Sequence, residues 1–193
     1  MPKVKLFNQE DVLQKAMELF WKSGYHATSI QDLVNHLGIN RASLYDTYGG
    51  KKKLFDQSLE LYCNTNREGM RQLLKSQDSV KQGFRKIFET AIAYSTTDID
   101  RKGCFVVNSI TELIPGDDPL KKALMKNRAS FVDIYYEFLL SGQQSGEISK
   151  DKDIRSIASL IYTLFSGIKV IGKIEPDHKN LLSSVDSILS LLD

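Results

Sequence analysis

The sequence predicts an all-α protein with a small three-helix unit at the N-terminus and a larger helical body behind it. Apolar residues recur at the three- and four-residue spacing of helices along nearly the whole chain. No segment alternates apolar and polar residues as a half-exposed strand does. Only four prolines occur in 193 residues, and glycine or polar breaks separate about nine helical segments.

Residues of good capping type bound the first three helices. Asparagine, serine and threonine satisfy free amides where a helix begins, and glycine accepts the left-handed turn where one ends. The predicted caps, in chain order, are Asn8, Gly24, Thr28 or Ser29, Gly38, Asn40 and the pair Gly49-Gly50. The predicted helices cover about 9–23, 29–37, 41–46, 51–75, 79–96, 103–114, 118–142, 151–173 and 178–192.

The composition is that of an ordinary globular protein, with 41% hydrophobic and 26% charged residues. No continuous apolar run reaches the roughly 18 residues that cross a bilayer, and the first residues lack the apolar core of a signal peptide. We therefore expect a cytoplasmic protein with no membrane partner. Cys63 and Cys104 are too few for a disulfide framework, and the three histidines are scattered. We expect no metal and no cofactor.

Positive charge is concentrated at the N-terminal end. Residues 1–55 hold eight lysines and arginines against five acidic residues, a net +3, whereas the whole chain carries only +2. An excess of this kind is a modest indication that the N-terminal unit binds a polyanion such as DNA.

Residues 28–45 have the pattern of a helix-turn-helix, two short helices joined by a turn that contains glycine. Apolar residues fall where the two helices pack on each other: Leu33, Leu37, Ile39 and Leu44. The second helix can then present its N-terminal half to a DNA groove, where arginine and serine bind base edges or phosphate and alanine meets a thymine methyl. A lysine at the next helix start suits a phosphate. The expected DNA-binding residues are Thr28, Ser29, Arg41, Ala42, Ser43, Tyr45, Tyr48 and Lys51.

The run from Gly24 to Phe55 resembles the N-terminal signature of the TetR/AcrR family of repressors. The framework residues that carry the resemblance are Gly24, Thr28, Ile30, Gly38, Leu44, Tyr45, Tyr48, Lys51, Leu54 and Phe55. The resemblance implies a homodimer that binds a palindromic operator and releases it when an effector enters the helical body. It also implies that Tyr45 and Lys51 contact phosphate and that Arg41, Ser43 and Tyr48 lie on the recognition helix.

The sequence departs from the family pattern at two positions. Val34 stands where a small alanine is usual, so the two short helices are expected to pack slightly further apart. Lys52 replaces a common acidic residue, and we expect it to strengthen the basic patch.

The helical body carries aromatic residues that mostly form its core but also suit an apolar pocket between helices. The candidate effector-binding residues, with two polar members, are Tyr62, Phe88, Phe105, Asn108, Glu112, Phe131, Tyr135 and Phe165. Residues 102–109 are similar to a stretch in one branch of the family, where a few members use such a cysteine to sense electrophiles or oxidants. Cys104 is therefore either a redox sensor or a small buried core residue.

The last two helices have wide apolar faces. Residues 154–172 carry apolar side chains around most of the helix, and residues 178–192 carry a second apolar stripe. A helix of this kind is buried on more than one side. We expect both segments to form a four-helix dimer seam with a symmetry mate, although an intramolecular core explains the same pattern.

Together these patterns predict a DNA-binding transcriptional regulator, a repressor released by a small-molecule or reactive effector. Residues 1–50 form the expected DNA-binding domain and residues 51–193 the expected ligand-binding and dimerisation domain. One alternative is a small helical enzyme, but the sequence has no nucleophile–base set, no zinc-binding motif and no P-loop. The other alternative is a sequence-independent DNA-binding protein without a ligand.

Overall fold

The computed structural model describes residues 7–174 and 178–193. Over these residues the chain consists of α-helices and a final 3₁₀ turn at Ser190–Leu192, and none of them forms a strand. In chain order the helices are α1 (Gln9–Ser23), α2 (Ile30–Leu37), α3 (Arg41–Tyr48), α4 (Lys51–Lys75), α5 (Val80–Thr97), α6 (Phe105–Leu113), α7 (Asp118–Ser145), α8 (Ile154–Ile171) and α9 (His178–Leu189). The all-α prediction is confirmed.

The helix ends agree with the capping residues at the N-terminus and diverge most in α7. Gly142 was predicted to end that helix, but the helix continues to Ser145 and ends at Gly146, whose φ is +84°. Gly142 lies within the helix, and a Cβ there would come within 2.8 Å of the Ile148 side chain and 2.9 Å of Val80. This glycine therefore permits close packing between helices and does not terminate one.

Buried apolar side chains form two clusters. The first joins α1, α2, α3 and the first half of α4 to α6 and the start of α7. The second joins the end of α4 and α5 to α7, α8 and α9. Helix α6 packs against α4 and α7 within the same cluster that holds the N-terminal helices.

Helix α8 presents a large apolar surface that the chain itself does not cover. Within the described ranges it is the one helix long and apolar enough to cross a membrane by length and composition, with a mean hydropathy of 1.4. Arg155 and Lys169 interrupt the apolar run, so it is not continuous over 18 residues, but the average hydropathy of the helix stays high. Only 33% of its 18 residues are buried.

Core packing in the body leads to a stability prediction. Leu139 of α7 is completely buried, whereas Met125 of the same helix is 62% exposed. Leu139→Ala should lower the free energy of unfolding by about 2–5 kcal/mol, because it leaves a cavity in the second cluster. Met125→Ala should change it by less than about 0.5 kcal/mol. Denaturant unfolding followed by circular dichroism measures both, and equal losses would contradict the assigned burial.

Candidate nucleic-acid interface

The corner between α2 and α3 is built from local capping bonds. Ser29 and Asp32 form a reciprocal capping box at the start of α2, and these hydrogen bonds hold the pKa of the Asp32 carboxyl below its usual range. Gly38 ends α2 in the left-handed conformation at φ +66°. Asn40 then begins α3 and accepts a hydrogen bond from the Ser43 amide at 2.8 Å. This turn sets the angle between the helices.

Helix α3 is anchored from behind and open in front. Leu44 is completely buried against Leu33 and the rest of the first cluster. Arg41 and Ala42 are exposed, and Tyr45 remains 46% exposed although it is aromatic. The Arg41 guanidinium lies 5.9 Å from the centre of the Tyr45 ring. An exposed tyrosine beside an arginine at a helix start is suited to bind phosphate and base edges.

The start of α4 adds a second group of donors next to α3. Its N-cap is Gly50, which offers no side chain to the free amides of the first turn. A Cβ on Gly50 would come within 3.0 Å of the Tyr45 ring, so glycine lets the ring approach the helix start. The Lys51 ammonium lies 4.3 Å from the centre of the Tyr25 ring. Open amides beside a positioned cation form an anion site.

Two of the predicted DNA-binding residues are placed in the interior. Thr28 is buried, and its hydroxyl donates to the Gly24 carbonyl at 2.7 Å. Tyr48 is buried, and its hydroxyl donates to the Gln9 carbonyl at 2.9 Å. Burial also raises the pKa of Tyr48. For these two residues the expectation is corrected, because both hydroxyls are already paired and neither faces outward.

The expectation for Lys52 is also corrected. Its ammonium bridges the Asp117 carboxylate at 2.8 Å and the Asp56 carboxylate one helical turn away. Partial burial works against the charged form, but the hydrogen bonds to Asp117 and Asp56 outweigh it and raise the pKa of Lys52. Lys52 therefore ties α4 to the start of α7 and does not add free charge to the basic patch.

Glu112, a predicted effector-binding residue, contacts the loop between α1 and α2 of the N-terminal DNA-binding helices. Its carboxylate accepts hydrogen bonds from the backbone amides of Tyr25 at 3.0 Å and His26 at 2.6 Å, in the loop between α1 and α2. A Cβ on Gly24 would lie 2.9 Å from a Glu112 oxygen, so the glycine allows this approach. Glu112 thus joins α6 to the loop that precedes α2, and no sequence pattern indicates this role.

A second such contact was missed by sequence reasoning. The Trp21 indole Nε1–H of α1 donates to the Gly103 carbonyl at 3.2 Å, just before α6. Lys22 of the same helix pairs with Asp100 at 2.8 Å. The segment before α6 and the C-terminal end of α6 are therefore both attached to the N-terminal helices.

A cavity of about 340 Å³ lies between α1, α4, α5 and α8. Of the predicted effector-binding residues, Tyr62 and Phe165 line it, and Phe131 lines a smaller cavity of about 50 Å³ next to it. Asn108 accepts a hydrogen bond from Lys173, which lies on the rim. The others are placed elsewhere, because the packing of two core clusters holds them: Phe88 and Tyr135 in the second cluster, Phe105 in the first.

Cys104 is buried at the start of α6. The Tyr62 hydroxyl donates to its sulfur at 3.8 Å, and the pair borders the smaller cavity. Burial raises the pKa of the neighbouring Cys63 thiol to about 12, which keeps that thiol protonated at neutral pH. Redox sensing by Cys104 stays a prediction. No three potential metal ligands come together in the part of the chain that the structure describes.

Comparisons with known proteins agree with this geometry. Residues 12–57 match a family described as bacterial regulatory proteins, tetR family, and residues 81–186 match the tetracyclin repressor-like C-terminal domain. The chain is similar to the uncharacterized HTH-type transcriptional regulator YezE of Bacillus subtilis (strain 168), with 34% identity over 100% of both chains. It is also similar to the HTH-type transcriptional repressor ComR of Escherichia coli (strain K12), with 30% identity over 97% of this chain and 90% of that one.

Among solved structures, the chain is similar to the TetR family transcriptional regulator CifR, a cysteine mutant complexed with 26-bp double-strand operator DNA. The TM-score is 0.86 with 26% sequence identity, and the match covers 99% of this chain and 100% of that chain.

The Glu112 contact leads to a prediction about local stability. Glu112→Ala should speed hydrogen exchange at the amides of Tyr25 and His26, because it removes their acceptor. Glu137→Ala is the matched control, since Glu137 is exposed on α7. Exchange followed by mass spectrometry on fragments that cover residues 24–30 measures the effect. Unchanged exchange in Glu112→Ala would show that the carboxylate does not hold this loop.

Proposed function

This chain belongs to the TetR family of bacterial regulatory proteins, and from that premise we propose that it binds operator DNA as a homodimeric repressor. As a member of this family it is a helix-turn-helix transcriptional regulator. In the proposal, residues 1–50 bind DNA, and residues 51–193 bind the effector and the second copy. The protein acts in the cytoplasm and catalyses no reaction.

One observation carries the DNA-binding proposal. The exposed side chains Arg41, Ala42 and Tyr45 lie on a helix whose inner face is buried, and Lys51 lies beside the open amides of α4. Ser29 and Ser43 flank this surface at the starts of α2 and α3. Arg41 and Ser43 are proposed to contact base edges, and Tyr45, Ser29 and Lys51 to contact phosphates. A similar regulator, CifR, was solved with operator DNA.

The second copy is proposed to cover α8 and α9. Leu160 and Val170 of α8 are both more than 40% exposed in the single chain, and Leu191 beyond α9 is also exposed. Apolar residues this exposed along α8 form a patch that a soluble protein normally covers, whereas Leu181, Val185 and Ile188 of α9 are buried within the chain. A two-fold seam through residues 154–172 and 178–192 covers it and sets the spacing of the two recognition helices.

The effector is proposed to change that spacing. A small molecule in the cavity of the body shifts the equilibrium between two arrangements of the dimer only if it binds them with different affinity. Loss of operator binding then measures that difference. The effector-binding residues proposed from the geometry are Tyr62 and Phe165 for the cavity of about 340 Å³ and Phe131 for the smaller one next to it.

Fluorescence anisotropy with palindromic fragments from upstream of the gene tests the proposal. We expect one palindrome to bind far more tightly than random DNA, with an affinity that falls steeply as salt rises. Equal affinity for every fragment would support the alternative of sequence-independent binding. No binding at any salt concentration would overturn the proposed function.

Lys51 is expected to contribute to all DNA complexes alike. Lys51→Ala should weaken binding to operator and random DNA to the same extent and reduce the slope of log K against log salt by about one unit, because one phosphate contact is lost. Lys86→Ala, an exposed lysine of α5, should leave the slope unchanged. If the two variants behave identically, Lys51 makes no phosphate contact.

Arg41 is expected to contribute to specificity. Arg41→Ala should cost about 1–3 kcal/mol on the operator and much less on random DNA, because a base-edge contact is lost. Operators with single substituted base pairs should locate the loss at one position in each half-site. A loss of the same size on random DNA would make Arg41 a phosphate-contacting residue.

A further inference from the structure

The wall of the cavity between α1, α4, α5 and α8 includes a residue of the N-terminal DNA-binding helices α1–α3. Trp21 of α1 lines the cavity together with residues of α4, α5 and α8. Its ring lies between two tyrosines, with the Tyr62 ring edge-on at 5.0 Å and the Tyr94 ring stacked at 6.4 Å. A molecule in this cavity therefore touches the body and the N-terminal helices at once.

The interior of the cavity is largely apolar. Side chains from three helices of the body supply this lining: Met70, Leu73, Ile87, Ala91 and Phe165. The smaller cavity extends the space, since Tyr62, Met70 and Phe165 line both. An apolar space of this size gains binding free energy from an apolar ligand.

The rim of the cavity is positively charged. Its charged lining residues are Arg101, Lys169 and Lys173 against one acid, Asp98. The Asp98 carboxylate accepts a hydrogen bond from the neutral Gly103 amide at 3.0 Å and keeps its charge, so the cations of the lining outnumber it by two. Among the residues described, no carboxylate forms an ion pair with the three cations of the rim.

The two lysines are held in place by neutral groups. The Lys173 ammonium donates to the Asn108 side-chain oxygen at 3.0 Å, and the Lys169 ammonium lies 4.3 Å from the centre of the Phe165 ring. Both side chains are partly buried. A neutral partner positions a cation without cancelling its charge, so an anion that reaches both lysines gains charge-assisted hydrogen bonds.

From this arrangement we propose that the effector is an amphiphile with an apolar body and one anionic head. The apolar part of the ligand occupies the cavity against Trp21, and its anionic head binds Lys169 and Lys173 at the rim. The proposal rests on the proposed function for the consequence of binding, the release of DNA. Trp21 belongs to α1, so a ligand that contacts it acts directly on the N-terminal DNA-binding helices. The indole N–H also donates a hydrogen bond to the segment before α6.

Trp21 is the only tryptophan of the chain, so its fluorescence reports on the cavity. The intact protein is titrated with decanoate, 1-decanol and decylamine, which share one apolar chain and differ in head group. We expect decanoate to change the Trp21 emission with an affinity at least about tenfold above that of the other two. Equal affinity for all three would overturn the anionic head.

A double variant and its control test the binding site of the ligand's anionic head separately from that of its apolar part. Replacing both lysines, K169M/K173M, should lower decanoate affinity by at least about tenfold and leave 1-decanol binding unchanged, because methionine keeps the apolar stem but not the charge. Lys150→Met, at an exposed turn, is the matched control and should leave decanoate affinity unchanged. If the double variant binds decanoate as the native protein does, the assignment of the head site is overturned.

The proposed position of the ligand's apolar part is tested by a substitution that fills the cavity. Gly69 of α4 lines the cavity, and a Cβ there meets no other atom within 4 Å. Gly69→Leu should abolish the Trp21 response to decanoate while the unfolding midpoint is kept or raised, since leucine favours a helix over glycine. A normal response in this variant would overturn the placement.

DNA release is measured separately with the operator complex. We expect decanoate to lower operator affinity in the native protein and to have no effect in Gly69→Leu. A Trp21 response without release from the operator would overturn the role as effector while the cavity site stands. A protein that binds no operator DNA would instead overturn the proposed function, and the fluorescence titration would still decide the cavity site.

Discussion

The position of the recognition helix depends on an aromatic contact that joins the N-terminal helices to the body. Phe55 near the start of α4 packs edge-on against Phe20 of α1 at 5.3 Å and against Phe105 of α6 at 5.5 Å. All three rings are buried. Because close-packed interiors deform little, a shift of α6 has to move α1 and α4, which carry α2 and α3 with them. The N-terminal DNA-binding helices therefore share one packed core with α4 and α6.

Polar contacts also join the N-terminal helices to α6, one near each end of α6. Glu112 binds the loop before α2, and Trp21 binds the segment before α6. These two contacts lie at opposite ends of α6, so a tilt of that helix strains one of them or the other. In the proposed mechanism, a ligand that touches Trp21 acts near the start of α6, and Glu112 connects the end of α6 to the loop before α2.

Most of the fold was predictable from the sequence, and the site was predictable in part. The caps Asn8, Ser29 and Asn40 marked helix starts because their bonds reach only two or three residues along the chain. The outward side chains of α3 followed from the helical period. Thr28 and Tyr48 were predicted outward but lie inside, since a hydroxyl that suits phosphate suits a buried carbonyl equally well. Residue type alone does not distinguish these environments.

The sequence by itself determined the helices, the α2–α3 corner and the family, because all three depend on side chains within a few positions of one another. Only the tertiary structure decided which polar groups meet between the N-terminal helices and the α6 region. Glu112 and Tyr25 are 87 residues apart, and Trp21 and Gly103 are 82 apart. Their contacts, and the cavity with its basic lining residues, depend on how whole helices pack. No local pattern encodes that geometry, because each helix can keep its amphipathic face while its neighbours change place.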